Sequence, residues 1–420
     1  MKPKLLTTLQ GYTRAGFKQD VSAGITVALV AVPLSIAIAI ASGAGPQVGL
    51  VTAIVGGFLI SLLGGSRVQI GGPTGAFIVV VYDVIAQHGY QGLVTATLMA
   101  GVILLFAGAM RAGRLVALVP EPVINGFTIG IGIIIGTSQL KDVFGLVTGP
   151  VPADFLPKLE TLWAARATVN PSAVMVGLLC IVLITVFRQR APKLPGLIVA
   201  VAIGSALVAM AGLPVETIHA RFGALPTSLP MPQFPPLSGP ILIDLLPSAL
   251  IIAFLAGIES LLSAMVADRM IGSQHRSNAE LLAQGAANIG SALFGGLPAT
   301  GAIARTATNV RAGGRTPVAG IVHALTILVL MMVAGQLVGM LAMPALAAVL
   351  LLTAWNMTEP HQWRHHAAMP WPDLLLLLLT LVLTVFADLT IAIGTGVILG
   401  LILRKLGLSS ATQDMTTPDR

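Results

Sequence analysis

Charge is what this sequence has least of. Of its 420 residues only 9% are Asp, Glu, Lys or Arg, while 55% are hydrophobic. A soluble domain carries about 25% charged residues, so a soluble globular fold is excluded. Cysteine is nearly absent. The single Cys180, in the run GLLCIVLITVF, has no partner for a disulfide or metal site and reads as a small buried apolar residue. The seven histidines show no metal-ligand spacing. No catalytic triad, zinc signature or Walker motif is present, which argues against an enzyme and against a pump driven by its own ATP hydrolysis. No cleavable signal peptide is visible. Residues 1–20 are polar and basic, and the apolar run beginning at Val21 is too long for a signal core. No cofactor is implied.

What the chain has instead is apolar length. Its mean hydropathy is +0.92, and a bilayer-crossing helix needs about 20 mostly apolar residues. Hydropathy predicts segments at 23–42, 46–63, 73–87, 93–110, 115–138, 172–188 and 195–212. A second set follows at 244–267, 278–294, 301–311, 315–335, 337–354, 372–387 and 389–406. The expected fold class is therefore an all-α membrane protein with 14 transmembrane segments, seven in each half. With the N-terminus inside, 17 of the 23 basic residues fall in inside segments. That bias predicts both termini in the cytoplasm. It also accounts for the net charge of +7 without nucleic acid, because the basic residues are spread over many short loops. Two loops are long, 139–171 and 213–243. The second is proline-rich and reads as an extracytoplasmic linker between the halves. The polar tail after Lys405 reads as disordered.

The halves share a local signature. The first reads GGSRVQIGGPTGAFIVVV at 64–81 and the second GGLPATGAIARTATNV at 295–310. In each, a Gly-Gly pair ends an apolar run, a short polar stretch follows, and Thr-Gly-Ala then opens an unusually short apolar segment. Seven crossings per half require the second half to be inverted. Paired, glycine-interrupted segments in inverted repeats point to a transporter's binding site. A helix that starts inside the membrane leaves its first N–H groups unpaired, and its dipole puts partial positive charge there. Two such ends facing each other suit an anion. The stretches SRVQI and LPAT before them are expected to pair as short strands, satisfying backbone groups that lipid cannot.

Polar residues at membrane depth are costly and usually functional. Glu259 lies in the apolar stretch LIIAFLAGIESLLSAMVAD. It reads as a coupling site taking up a proton, or binding sodium together with Ser263 one turn on, or else as a structural carboxylate. Arg305 sits at the start of the second short helix, where it either reinforces an anion pocket or serves a structural ion pair. Asp268, near the inside end of the same segment as Glu259, reads as a structural partner for a cation. Asn288 and Asn309 read as residues that cap or link helices.

These motifs resemble the sulfate permease family, also called solute carrier family 26. The resemblance spans about residues 12–406. It rests on DVSAGITVALVAVPLSIAIAIASGAGPQVGL at 20–50, GGSRVQIGGPTGAF at 64–77 and VPEPVINGFTIGIG at 119–132. It continues through GIESLLSAMVADRMIGSQHRSNAELLAQGAANI at 257–289 and FGGLPATGAIARTATNVRAGGRTPVAG at 294–320. Similarity is strongest to a bacterial branch that includes proton-coupled C4-dicarboxylate carriers. It implies a 7+7 inverted repeat shared with nucleobase transporters. A core domain would comprise segments one to four (21–112) and eight to eleven (244–336), and a gate domain segments five to seven (113–213) and twelve to fourteen (337–406). Residues 1–20 would be a cytoplasmic segment, 214–243 the linker and 407–420 a cytoplasmic tail without the family's STAS domain. Substrate would sit between Ala76 and Phe77 of segment three and Ala302, Ile303, Ala304 and Arg305 of segment ten, with Glu259 and Ser263 as the coupling-ion site. Where many relatives have Gln or Glu after the first-segment proline, this chain has Leu34 after Pro33. The implied function is secondary active transport of a small inorganic or organic anion (fumarate, succinate, sulfate or bicarbonate) by an elevator-like movement. Coupling would be to H+, with Na+ as the alternative. The expected setting is a bacterial inner membrane, as a multi-pass protein among lipids and as a homodimer. An exchanger, an anion channel and a non-transporting membrane sensor are the competing readings.

Overall fold

A computed structural model describes residues 2–114, 119–191, 194–387 and 389–406. The first half begins with a short α1 (Lys4–Thr8), then α2 (Arg14–Ala41), α3 (Pro46–Val51) and α4 (Gly57–Leu63). A π-helical turn at Thr52–Gly56 joins α3 to α4. The two-residue strand β1 (Gly71–Gly72) and a tight 3-10 turn at Gly75–Phe77 lead into α5 (Ile78–Ala109). Next come α6 (Glu121–Val143), α7 (Phe155–Ala164), α8 (Pro171–Arg190), α9 (Gly196–Ala211) and α10 (Ile218–Phe222). The second half holds α11 (Gly239–Ile271), α12 (Ser277–Leu293), strand β2 (Thr300–Gly301), α13 (Ile303–Arg311) and α14 (Val318–Gly339). It ends with α15 (Met343–Met357), α16 (Trp363–Ala367), α17 (Trp371–Phe386) and α18 (Leu389–Lys405).

Each expected apolar segment meets a helix, with shifted ends. Among the described residues, seven spans are long and apolar enough to cross a membrane, and α9 and α17 are shorter apolar helices. The third and fourth segments run together as α5, broken at Gly89, whose φ of 69° only glycine adopts readily. α11 begins ahead of the expected 244, because Ser238 and Pro240 open it with proline in the first turn. The long 139–171 loop contains α7, and the linker contains α10. The expected tail at 407–420 lies outside the described residues. Large apolar side chains such as Phe106, Met210 and Val333 stand exposed, as required of a surface that faces hydrocarbon.

The helices pack in two groups. α12 and α11 lie against α5, α14 lies against α2 and α4, and α13 lies against α11 and α2. Separately, α15 and α17 pack on α6, and α8 packs on α9 and α15. α2 touches both groups, through α15 and α9. The chain start joins the first group, since the Lys4 amide donates to Gly64 O at 2.9 Å and Arg276 Nη1 donates to Lys2 O at 2.8 Å.

The strands correct one expectation. SRVQI and LPAT do not pair along their lengths. The antiparallel ladder is two residues long and lies later in the chain, with Gly71 opposite Gly301 and Gly72 opposite Thr300. The Ala302 amide adds a bond to Ile70 O at 2.8 Å. Backbone groups at 65–70 are satisfied largely by side chains, so they have no use for a longer ladder.

Candidate functional site

The ladder places the starts of α5 and α13 side by side at the centre of the molecule. Neither start carries a side-chain cap. Thr74, at the N-cap position of the 3-10 turn, spends its hydroxyl elsewhere: Oγ1 donates to Glu259 Oε2 at 2.6 Å. The first-turn amides of both helices therefore keep their partial positive charge uncompensated by a capping oxygen.

Each predicted site residue can be placed. Ala76 and Phe77 are buried at the start of α5, and Ala302 is buried ahead of α13. Ile303 is 40% exposed and Ala304 is exposed, so the first turn of α13 borders open space. Glu259, on α11, is partly exposed. Arg305 is only 1% exposed. Its Nη2 donates to Pro73 O at 2.9 Å and to Ser35 Oγ at 3.2 Å, while Nε and Nη1 have no partner among the described residues. Among the described residues no carboxylate lies within 4 Å of it. A buried guanidinium with neutral partners and idle donors is costly unless an anion completes it.

Ser263 departs from the expectation that it works beside Glu259. Its hydroxyl lies 3.2 Å from Thr306 Oγ1, which also accepts the Ile70 amide at 3.0 Å. Ser263 thereby braces α13 and the crossover. Asp268 fits the structural reading, with Oδ2 2.7 Å from His275 Nδ1. Asn288 brackets Ala299, accepting its amide at 2.9 Å and donating to its carbonyl at 2.8 Å. Asn309 donates to Val68 O at 2.8 Å.

Sequence reasoning missed the polar cluster under the first crossover. Glu280 is fully buried. Its Oε2 accepts the amides of Gly65 at 2.8 Å and Ser66 at 3.2 Å. Its Oε1 accepts Ser260 Oγ and Gln284 Nε2, both at 2.9 Å. Ser260 Oγ in turn accepts Gln69 Nε2 at 2.8 Å. The cluster fixes the rotation of α11, so that Glu259, the residue before Ser260, faces Thr74. The available signal was the Glu280–Gln284 spacing of four on a largely apolar helix, which puts both on one face. The second crossover is held in the same way. Thr52 Oγ1, which donates to Val48 O at 2.8 Å, accepts the Leu297 amide at 2.7 Å, and Thr300 Oγ1 donates to Ala256 O at 2.9 Å. The far wall was also missed. A Cβ on Gly75 would stand 3.2 Å from Met357 Sδ, 3.6 Å from Ile135 Cδ1 and 3.9 Å from Thr353 Cγ2. Residues of α6 and α15 thus face the start of α5.

Comparison with known proteins agrees with this geometry. The sulfate permease family profile matches residues 17–380. The chain belongs to the sulfate permease family. YvdB of Bacillus subtilis (strain 168), a protein assigned as a sulfate transporter, is 41% identical over 406 residues, covering 96% of this chain and 76% of YvdB. The bicarbonate transporter BicA of Picosynechococcus sp. is 31% identical over 396 residues, covering 90% of this chain and 68% of BicA. The solved transmembrane domain of a cyanobacterial BicA superposes with a TM-score of 0.82 at 28% identity, over 93% of this chain and 98% of that one. Murine solute carrier 26 family member A9, an anion transporter solved in an inward-facing state, shares the fold, with a TM-score of 0.85 at 18% identity over 96% and 71% of the two chains. These sulfate permease relatives are membrane transporters of anions, not enzymes, and this chain is an anion transporter of their family.

Proposed function

We propose that the chain is a secondary active carrier in which a small anion binds between the starts of α5 and α13. The observation that carries this reading is Arg305, buried without a carboxylate and with idle Nε and Nη1 donors, beside two uncapped helix starts. Oriented backbone dipoles and one guanidinium suit a compact oxyanion or carboxylate. Sulfate and bicarbonate are the anions for which the relatives YvdB and BicA are named; C4-dicarboxylates such as fumarate and succinate offer the same chemistry. Glu259 is the coupling residue on this reading. It is a partly exposed carboxylate in an apolar helix, bonded to the crossover through Thr74. One such carboxylate supports proton symport as the first reading. Sodium is the second reading, because Thr74 places a hydroxyl oxygen beside Glu259.

The two helix groups support division into a moving core (21–112 and 244–336) and a static gate (113–213 and 337–406), arranged as a 7+7 inverted repeat. An elevator-like slide of the core would carry the pocket past Ile135, Thr353 and Met357. Both termini would face the cytoplasm of a bacterium, across its inner membrane. The test is counterflow of labelled sulfate, bicarbonate and fumarate into proteoliposomes, with and without a pH gradient and with and without sodium. We expect uptake of at least one anion, stimulated by an inward proton gradient. No flux of any small anion would refute the carrier reading, and uptake driven only by sodium would replace the proton.

A further inference from the structure

A second cation lies well away from Arg305. Lys158, on α7, is only 5% exposed. Its Nζ donates to Ser138 Oγ of α6 at 3.1 Å and lies 5.7 Å from the centroid of the Tyr82 ring of α5. The Tyr82 hydroxyl donates to Val151 O, in the connection before α7, at 2.7 Å. Among the described residues no carboxylate comes within 4 Å of Lys158. Burial pushes its pKa down, and Asp154 one turn earlier pulls the other way. Apart from the exposed Asp154, the ammonium's partners among the described residues are one neutral hydroxyl and a ring face, which leaves it under-compensated.

The cation lines a cavity of about 420 Å³ between α5, α6, α7 and α11. That cavity runs from Ile78 and Val79, in the first turn of α5, past Tyr82 to His88 and Asp244 at the end of the molecule that carries the linker. It therefore reaches from exposed residues at the linker end to the first turn of α5, next to Ala76 and Phe77. Its other charges are weaker at short range. Asp83 is engaged by Gln87 at 2.7 Å, His88 and Asp244 face each other at 3.3 Å, and Asp154 and Asp244 stand in solvent. Exposed charges act through water and are screened within about 10 Å, whereas Lys158 acts from a buried position.

We infer that Lys158 is an anion-recruiting site on the linker side of the transport path, taking the same small oxyanion or carboxylate before it reaches the central pocket. The arriving anion replaces Ser138 as the ammonium's hydrogen-bond partner, and the Tyr82 ring forms the floor beneath it. This rests on the carrier reading above.

The test is a sided exchange assay in right-side-out and inside-out membrane vesicles. Labelled sulfate, bicarbonate and fumarate are each varied on one face, with the unlabelled anion saturating on the other. We expect Lys158→Gln to raise the half-saturating concentration on the linker face by about tenfold, the size of one charge-assisted hydrogen bond. The ratio of the two faces' half-saturating concentrations should shift accordingly. Lys158→Arg should restore the ratio. A purely structural lysine would lower exchange at saturation, or move both faces together, and either result overturns the inference. If the unaltered chain exchanges no anion, the carrier reading itself fails. If it does exchange and Lys158→Gln leaves the ratio unchanged, only the Lys158 site falls.

Discussion

The least conspicuous residue of the site gives its sharpest test. Gly72 ends β1 with φ at 150°, and a Cβ there would stand 2.4 Å from Arg305 Nη1. Gly72→Ala must therefore push the guanidinium aside. Arg305 is 1% exposed, so it has little room to yield, and displacement breaks its bonds to Pro73 O and Ser35 Oγ. Hydrogen bonds to charged groups contribute about 1.5–3 kcal/mol each. A guanidinium turned out of line loses one contact of that size to the bound anion. Affinity should then fall by about tenfold to about a hundredfold, read by calorimetric titration of the purified protein with its transported anion. Backbone strain in the Gly72→Ala variant adds about 1–2 kcal/mol to the cost of folding but does not discriminate bound from free. The decisive measurement is a double-mutant cycle. Once Arg305→Ala removes the guanidinium, Gly72→Ala should cost no further affinity. Full affinity in Gly72→Ala, or additive losses in the double variant, would refute the idea that this glycine exists to admit Arg305.

Other perturbations follow from the same contacts. Glu259→Gln should abolish pH-driven uptake while anion binding and exchange persist; unchanged proton-driven uptake would remove Glu259 from coupling. Asn288→Ala leaves the buried amide and carbonyl of Ala299 without partners. At about 1–3 kcal/mol for each group, it should lower the melting temperature in detergent by several degrees, and an unshifted melt would contradict the bracket. Tyr12, held by burial and by its bond to Asp20, has its pKa pushed up to about 12 from an ordinary 10.0. The fold therefore favours the neutral phenol. That stabilisation is whole below pH 10 and fades as pH rises from about 10 to about 12, so Tyr12→Phe should flatten the loss of stability in that alkaline window. An identical alkaline melting profile in the variant would show that Tyr12 is not held.

The parts of the site legible in sequence were those that interrupt an apolar background. Thr74-Gly75-Ala76 and Thr300-Gly301-Ala302 break long hydrophobic runs, and Glu259 and Arg305 are charges where lipid tolerates few, so each announced itself locally. Glu280 did not. At the start of α12 it looks like an ordinary first-turn acid, and its partners Gly65 and Ser66 lie more than two hundred residues earlier. Ile135, Thr353 and Met357 are unremarkable helix residues until the fold sets them opposite Gly75. The strand register was misjudged for a related reason. The pattern of SRVQI shows that its backbone needs partners, but not that Glu280, Asn309 and Thr306 supply them. Lys158 lies in the long 139–171 loop, where nothing in the sequence marks it, because its burial depends on α7 folding back over Tyr82.

The way the two crossovers are satisfied also bears on how the protein is made. The amides of Gly65 and Ile70 wait for Glu280 and Thr306, which lie 215 and 236 residues further along the chain, and Val68 O waits for Asn309, 241 residues on. The Leu297 amide, in turn, relies on Thr52, 245 residues back. The first half therefore reaches the bilayer with an unfinished, polar break in its middle, and no sequence within that half can close it. Completion is a late step of biogenesis, taken only when α12 and α13 have been inserted. Until then the early half depends on water or on the insertion machinery to shelter backbone groups that hydrocarbon would not accept.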